Sequence, residues 1–175
     1  MVPVSAIRLI APRPEHAPLV WRWRQQAVAR RYNPFLPWDE AALAARLIPE
    51  RANLADHSLD AHRWMVEWEG AVVGTVGLHA THWDSGNTEI GYQLDEAVHG
   101  RGVGTATVRA LVTLLYAETD LEHILAIIAA DNLASHRLIQ KLDFVMEGRL
   151  RSHVLVEGRR LDQVIYGMLR GEWSG

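Results

Sequence analysis

The 175-residue chain contains no cysteine. That excludes disulfides, thiol nucleophiles and thiolate metal sites, and it fits a reducing compartment. No stretch approaches the roughly 20 apolar residues that a membrane-spanning helix needs. The start, Met1-Val2-Pro3-Val4, lacks the basic segment and apolar run of a secretory signal. A cytoplasmic chain with no membrane partner is the expectation. Basic surplus is missing too: 18 Lys and Arg stand against 21 Asp and Glu, a net charge of -3. Nucleic-acid binders usually carry a basic surface excess, so nucleic acid is not an expected partner. There is no internal repeat, low-complexity run or long Pro/Gly/Ser linker. With 49% hydrophobic content, residues 1–175 are read as a single domain with a full core.

Two familiar site signatures are also absent. The chain holds nine histidines, but His79 and His82 are three apart on a strand pattern and so face opposite ways. No His-x-x-x-His falls on a helix, and no Gly-x-Ser-x-Gly elbow marks a nucleophilic serine. No metal is expected, and His79, His82, Trp83 and Asp84 are read as a loop beside an acceptor cleft.

What is present is an alternation of elements. Ala6 to Ile10 alternates as a short strand, and Pro14 to about Arg31 carries a helical apolar stripe at Leu19, Val20, Trp23, Ala27 and Val28. Asn33-Pro34 should stop that helix. Asp39 to Ile48 repeats the helical period before Pro49. His62 to Glu69 and Ala71 to Ala80 form a hairpin pattern about Gly70, and Thr88 to Leu94 is a further strand. Gly102 to Glu118 is a long amphipathic helix, Ile124 to Ala130 an almost wholly apolar strand, and Asn132 to Leu142 a second helix. Phe144 to Val156 and Arg160 to Leu169 close the chain as two strands about Glu157-Gly158.

The densest signal lies between Asn87 and Gly104, where a strand turns through Gly100, Gly102 and Gly104 into a helix. Glycines admit a ligand close to backbone N–H groups, and the helix start brings its positive dipole end to the same place. The loop from Arg101 through Gly102, Val103 and Gly104 to Thr105 is a candidate phosphate cradle, with Arg101 a candidate for a charge-assisted bond. A dinucleotide fingerprint fits poorly, because Thr107 occupies the third glycine's slot and the loop follows the fourth strand. Asn132 alone reads as a helix N-cap. Tyr32, Phe35 and Trp38 cluster around Asn33-Pro34 as a core group or a substrate wall, and Trp83 joins the candidates for acceptor contact.

The stretch from Glu89 to Phe144 resembles the acetyl-CoA-binding half of the GNAT superfamily of acyl-CoA-dependent N-acetyltransferases. His99-Gly100-Arg101-Gly102-Val103-Gly104 is similar to that family's pyrophosphate loop, and Asn132-Leu133-Ala134-Ser135 followed by Lys141-Leu142-Asp143-Phe144 to its second motif. With Thr88-Glu89-Ile90-Gly91-Tyr92 before the loop, the pattern is most similar to the RimJ/RimL-like branch, whose named members acetylate protein N-termini. The resemblance implies an α/β (α+β) fold: a mixed, mostly antiparallel central sheet of about seven strands with helices on both faces.

It also implies roles. Acetyl-CoA would be the co-substrate, held by Gln93, Leu94, the loop from Arg101 to Thr105, Asn132 on the pantetheine arm, Ser135 near the sulfur, and Arg137 toward the distal phosphates with Lys141. Glu89 would be the base, Ser135 the fallback acid, and a bulge over Gly91 to Leu94 would offer a backbone N–H to the thioester carbonyl. Many members place a tyrosine seven residues after the motif asparagine, where this chain has Ile139, which cannot donate a proton. His99 at the start of the loop and Asp143 before Phe144 are smaller departures. Asp143 can occupy a left-handed helix C-terminus at some cost. The expected activity is direct transfer of an acetyl group to a primary amine, whether a protein N-terminus or a small amine such as an amino acid, polyamine or antibiotic. An acyl-CoA-binding sensor without catalysis is the reading from another class. The final strands offer a surface for a homodimer.

Overall fold

The computed structural model describes residues 2–34, 37–59 and 61–175. Seven strands form one sheet in the order β1-β2-β3-β4-β5-β7-β6. They are β1 Ile7–Ile10, β2 Ala61–Trp68, β3 Ala71–His82, β4 Asn87–Leu94, β5 His123–Ala129, β6 Val145–Val156 and β7 Arg159–Leu169. The helices are α1 Ala17–Arg24, α2 Ala27–Tyr32, α3 Glu40–Ala44, α4 Val103–Glu118 and α5 Leu133–Gln140. Every neighbouring pair of strands is antiparallel except β4 and β5. A parallel pair needs a crossover, and α4 supplies it.

The β2–β3 and β6–β7 hairpins each turn through two consecutive left-handed residues, Glu69 (φ 51°) with Gly70 (φ 77°) and Glu157 (φ 45°) with Gly158 (φ 77°). That backbone twist matches the twist of the flanking strands, which is why a glycine stands second in each turn. Asp143 also sits in the left-handed region, at φ 61°, where the chain leaves α5.

The sheet is covered on both faces. Along β2 the side chains alternate, with Trp64, Val66 and Trp68 entering a core with α4 while Met65 enters a second core with α1 and α3. Leu111 and Leu115 of α4 and Trp23 of α1 are fully buried anchors of the two cores. Arg170 closes the end of α4: its guanidinium donates to the carbonyls of Tyr116, Thr119 and Leu121 at 2.7, 2.5 and 2.9 Å. The Tyr116 and Thr119 carbonyls lie at the end of the helix without a partner further along it, so a cation placed there satisfies both hydrogen bonding and the dipole.

Two elements depart from the sequence reading. The helix expected from Pro14 to Arg31 is broken at Gln25-Gln26, where Gln26 is extended (φ −65°, ψ 151°). Tertiary bonds account for the break, because Gln26 Nε2 donates to Asp95 Oδ1 (2.8 Å) and Gln26 Oε1 accepts from the Glu96 N–H (3.1 Å). The second expected helix, Asp39 to Ile48, shortens to α3, with the Asp39 carboxylate capping it through the Ala42 N–H.

Candidate active site

The site begins where one ladder ends. β4 and β5 pair only at Asn87↔His123, Thr88↔Ile124 and Glu89↔Leu125. Beyond Glu89, β4 stays with β3 as far as Leu94, while β5 follows β7 as far as Ala129. The two wings of the sheet therefore diverge and leave backbone edges facing a gap. A cleft of about 960 Å3 fills it, lined from β4 by Glu89 through Leu94 and from β5 by Ala126 through Ala129. The bulge expected at Gly91 to Leu94 is not there, since the irregularity in the β3–β4 ladder lies between His79 and His82. Divergence of the strands, rather than a bulge, frees the backbone.

Strand alternation gives β4 two faces across the cleft. Ile90, Tyr92 and Leu94 pack toward the core of α4. Glu89, Gly91 and Gln93 fall on the opposite face. Glu89 sits at the fork, its side chain 24% exposed, with Oε1 3.1 Å from His79 Nε2. His79 is its cross-strand partner. Gly91 makes room for the ring: a Cβ there would stand 3.1 Å from His79 Cε1. A carboxylate beside a half-exposed imidazole at the mouth of a cleft is equipped to accept a proton and pass it to solvent.

On the other wall, the start of α4 is uncapped. Gly102 is its N-cap in a left-handed conformation (φ 86°) with no side-chain bond to the first turn. Gly100 is left-handed too (φ 72°). The N–H groups of Val103, Gly104 and Thr105 thus have no partner within the helix, and Gly100, Gly102, Gly104 and Thr105 line the cleft. The glycines do different jobs. Gly100 and Gly102 supply backbone conformation, while a Cβ at Gly104 would meet Leu138 Cδ1 at 2.8 Å, so Gly104 lets α4 close on α5. Val103 points its side chain into the core. Arg101 turns away from the cleft, its guanidinium 4.3 Å from the Trp68 ring centroid and 3.9 Å from a Glu69 oxygen.

The start of α5 faces the same gap. The Asn132 side chain accepts from the Ser135 N–H at 3.2 Å, a capping bond, and both residues line the cleft with Arg137 and Lys141. Ile139 is wholly buried. The Tyr92 hydroxyl is buried and has no hydrogen-bond partner among the described residues. Burial pushes this phenol up to about 12, against a smaller downward pull from Ser135. Gln93 Nε2 is likewise buried without a partner among the described residues. Two unsatisfied polar groups in one cleft, beside an uncapped helix start, fit a polar ligand that brings its own partners.

The four aromatic candidates part company. Tyr32 lines the cleft and donates to the Asp131 carbonyl at 3.3 Å. Trp38 packs with the second core between Arg24 and Arg46. Trp83 stacks on His57 at 4.0 Å, away from the cleft. Phe35 lies outside the described residues. One site feature escaped sequence reading. Asp95, just past β4, accepts from Arg22 (3.0 Å), Trp23 Nε1 (2.9 Å) and Gln26 (2.8 Å), tying α1 and α2 to the glycine loop. Burial alone would raise its carboxyl, but bonds from Gln26, the Ala97 N–H, Trp23 and Arg22 together hold it below the usual range. Nothing local in the sequence signals a partner some 70 residues away.

Among the described residues no helix is long and apolar enough to cross a membrane, and no cluster of three metal-ligating side chains occurs.

Residues 6–145 match the family model described as an acetyltransferase (GNAT) domain. The chain is 31% identical over 108 residues to a putative ribosomal N-acetyltransferase, YdaF, of Bacillus subtilis, covering 62% of this chain and 59% of that protein. It is 34% identical over 99 residues to a probable N-acetyltransferase, YjcK, of the same organism, covering 56% and 55%. The matched segment thus spans less than two thirds of these relatives. Among solved structures, the ribosomal L7/L12 alpha-N-protein acetyltransferase RimL in complex with coenzyme A superposes with a TM-score of 0.80 at 20% identity, covering 96% of this chain and 97% of that one. Spermidine N-acetyltransferase from Vibrio cholerae in complex with CoA and spermine gives 0.83 at 18% identity, covering 98% and 99%. At such identities the likeness is one of fold.

Proposed function

The chain belongs to the GNAT acetyltransferase family, and from that premise we propose that it transfers an acetyl group from acetyl-CoA directly to a primary amine, the N-terminal amine of a protein. The observation that carries this reading is the divergence of β4 from β5 at Glu89, which puts a carboxylate and an uncapped helix start into one cleft.

Each part of the cleft has a task. The first-turn N–H groups of α4 take the pyrophosphate, with Arg137 and Lys141 toward the distal phosphates. The open edge of β4 from Gly91 to Leu94 and the Asn132 side chain take the amides of the pantetheine arm. A backbone N–H of that edge faces the thioester oxygen as it gains charge. Glu89 takes the proton from the amine and His79 passes it to solvent. Gln93 and Tyr32 lie on the acceptor side. With no thiol in the chain, transfer in a ternary complex is the economical route. A protein N-terminus is favoured over a small amine by the sequence likeness to YdaF.

Incubation with acetyl-CoA and a panel of amines, while free thiol is followed, tests the proposal. Peptides with a free N-terminus should release CoA, and the same peptides blocked at the N-terminus should not. Release with an amino acid, polyamine or antibiotic alone moves the acceptor to small amines. Tight CoA binding with no release for any amine leaves an acyl-CoA sensor and overturns the enzyme reading.

A further inference from the structure

A side pocket of about 50 Å3 is lined by Arg24, Ala29, Arg30, Asn33, Pro34 and Gln93, and four of these, Ala29, Asn33, Pro34 and Gln93, also line the cleft. That is room for about three or four water-sized groups, the size of a carboxylate. Its chemistry is one-sided. Gln93 brings Nε2, a donor buried without a partner among the described residues. Arg24 and Arg30 bring guanidinium groups, and no carboxylate is among the lining residues. Arg30 already donates to Glu157 at 2.8 and 2.5 Å, so Arg24 and Gln93 are the pair suited to a further anion. Arg24 lies over the Trp38 ring at 5.1 Å, with Arg46 over the same ring at 4.1 Å. Such stacking uses the face of a guanidinium, and its five N–H donors can serve more than one acceptor. Asp39, next to Trp38, is turned to the Ala42 N–H. Burial pushes the Arg24 guanidinium down, and Arg63 on β2 is pushed down by burial and then by the charges of Arg24, Arg51 and Arg46. An anion placed among such groups relieves both effects.

We propose that the acceptor is anionic: it carries a carboxylate within about three residues' length of its amine, and Arg24 and Gln93 receive that carboxylate in the side pocket. This rests on the acetyltransferase reading given above and names the acceptor's chemical class. The strand supplies the spacing. Glu89 and Gln93 fall on one face of β4 and their positions are about 13 Å apart along it. An extended peptide advances about 3.3 Å per residue, so with its amine at Glu89 an acidic side chain at the second or third position reaches toward Gln93. Gly91, between the two, adds no side chain to that path. A polycation would instead meet Arg24 with like charge.

The test pairs peptides that differ only in Asp against Asn at the second or third position, with acetyl-CoA saturating and free thiol followed. The acidic member should have a kcat/KM about tenfold higher or more, carried by KM, and the gap should narrow as salt rises. Arg24→Gln should close the gap and leave KM for acetyl-CoA unchanged. Gln93→Met, which keeps the size and removes the donor, should shrink it. Equal wild-type kinetics for Asp and Asn, or a preference that survives both substitutions, overturns the proposal. A preference confined to small amines, such as 5-aminopentanoate over its amide, supports the pocket and assigns the carboxylate to a small molecule. A second readout needs no turnover. Calorimetry against protein saturated with CoA should show tighter binding of the acidic peptide to the wild type and no difference in Arg24→Gln. Absence of thiol release with every amine defeats the acetyltransferase reading instead, and the binding comparison still decides the pocket.

Discussion

Glu89 bears the proton chemistry of the account, and its surroundings make the role testable. Replacing it by glutamine keeps the shape of the fork and removes the base. Glu89→Gln should cut kcat for thiol release by about 10²–10⁴ while leaving KM for acetyl-CoA unchanged. A variant with the wild-type rate retires Glu89 as base. Gly102 is the matching test on the donor side. At φ 86° a β-branched residue is strained, so Gly102→Val should distort the first turn of α4 and lower CoA affinity at least tenfold by calorimetry. At this scale, sequence reading did well where a residue's role is backbone geometry. The turns at Gly70 and Glu157-Gly158 follow from local conformation alone, and Asp143 takes the left-handed position it can tolerate. It did less well where a long side chain chooses among partners. Arg101 swings to Trp68 and Glu69, and Trp38 and Trp83 go to other neighbours, because competing contacts come from strands and helices distant in sequence.

Among the elements, the join between α1 and α2 is where the sequence misled most. The apolar stripe runs without interruption across Gln25-Gln26, and only the Gln26 bonds to Asp95 and Glu96, some 70 residues on, break it. A side chain that caps a tertiary junction leaves no periodic signature. The same bonds make Asp95 a clamp between α1, α2 and the glycine loop. Asp95→Ala strands Trp23 Nε1 and Gln26 and should cost about 2–3 kcal/mol in urea unfolding. It should also raise KM for the acceptor amine more than KM for acetyl-CoA, since α2 carries Tyr32 while the α4 N-terminus is left intact. Equal rises in both would show that the clamp supports the whole cleft. By contrast, α4, β5 and the two hairpins were legible because their signals are local: a long amphipathic period, an unbroken apolar run and glycine-bearing turns.

For the molecule as a whole, protonation should wear the fold down in two stages. Burial lowers the pKa of His62 against a smaller upward pull from its bond to the Asn53 carbonyl, and His16 also moves down, chiefly by desolvation. A histidine whose folded pKa lies below its unfolded value stabilises the fold above the unfolded pKa and loses that contribution as pH falls. The first decline in melting temperature should therefore begin near pH 6.5, and His62→Phe should shrink it. Asp95, with its folded pKa depressed, keeps its contribution until pH falls below about 4 and loses it through the folded pKa. A melting temperature flat from pH 7 to 4 contradicts this ordering. The mixed, mostly antiparallel sheet of seven strands was anticipated from motif order and resemblance, while the divergence of β4 from β5 was not, since a ladder that stops after three pairs is a tertiary event.

That divergence makes the strongest demand on experiment: a donor and an acceptor must meet between β4 and β5 without a covalent enzyme intermediate. Mass spectrometry of the protein mixed with acetyl-CoA and a peptide bearing a free N-terminus reads this directly. The account predicts a peptide heavier by one acetyl group, an unmodified enzyme, and loss of the product in Glu89→Gln. An acetylated enzyme, or intact acetyl-CoA in the presence of every amine tried, would contradict it.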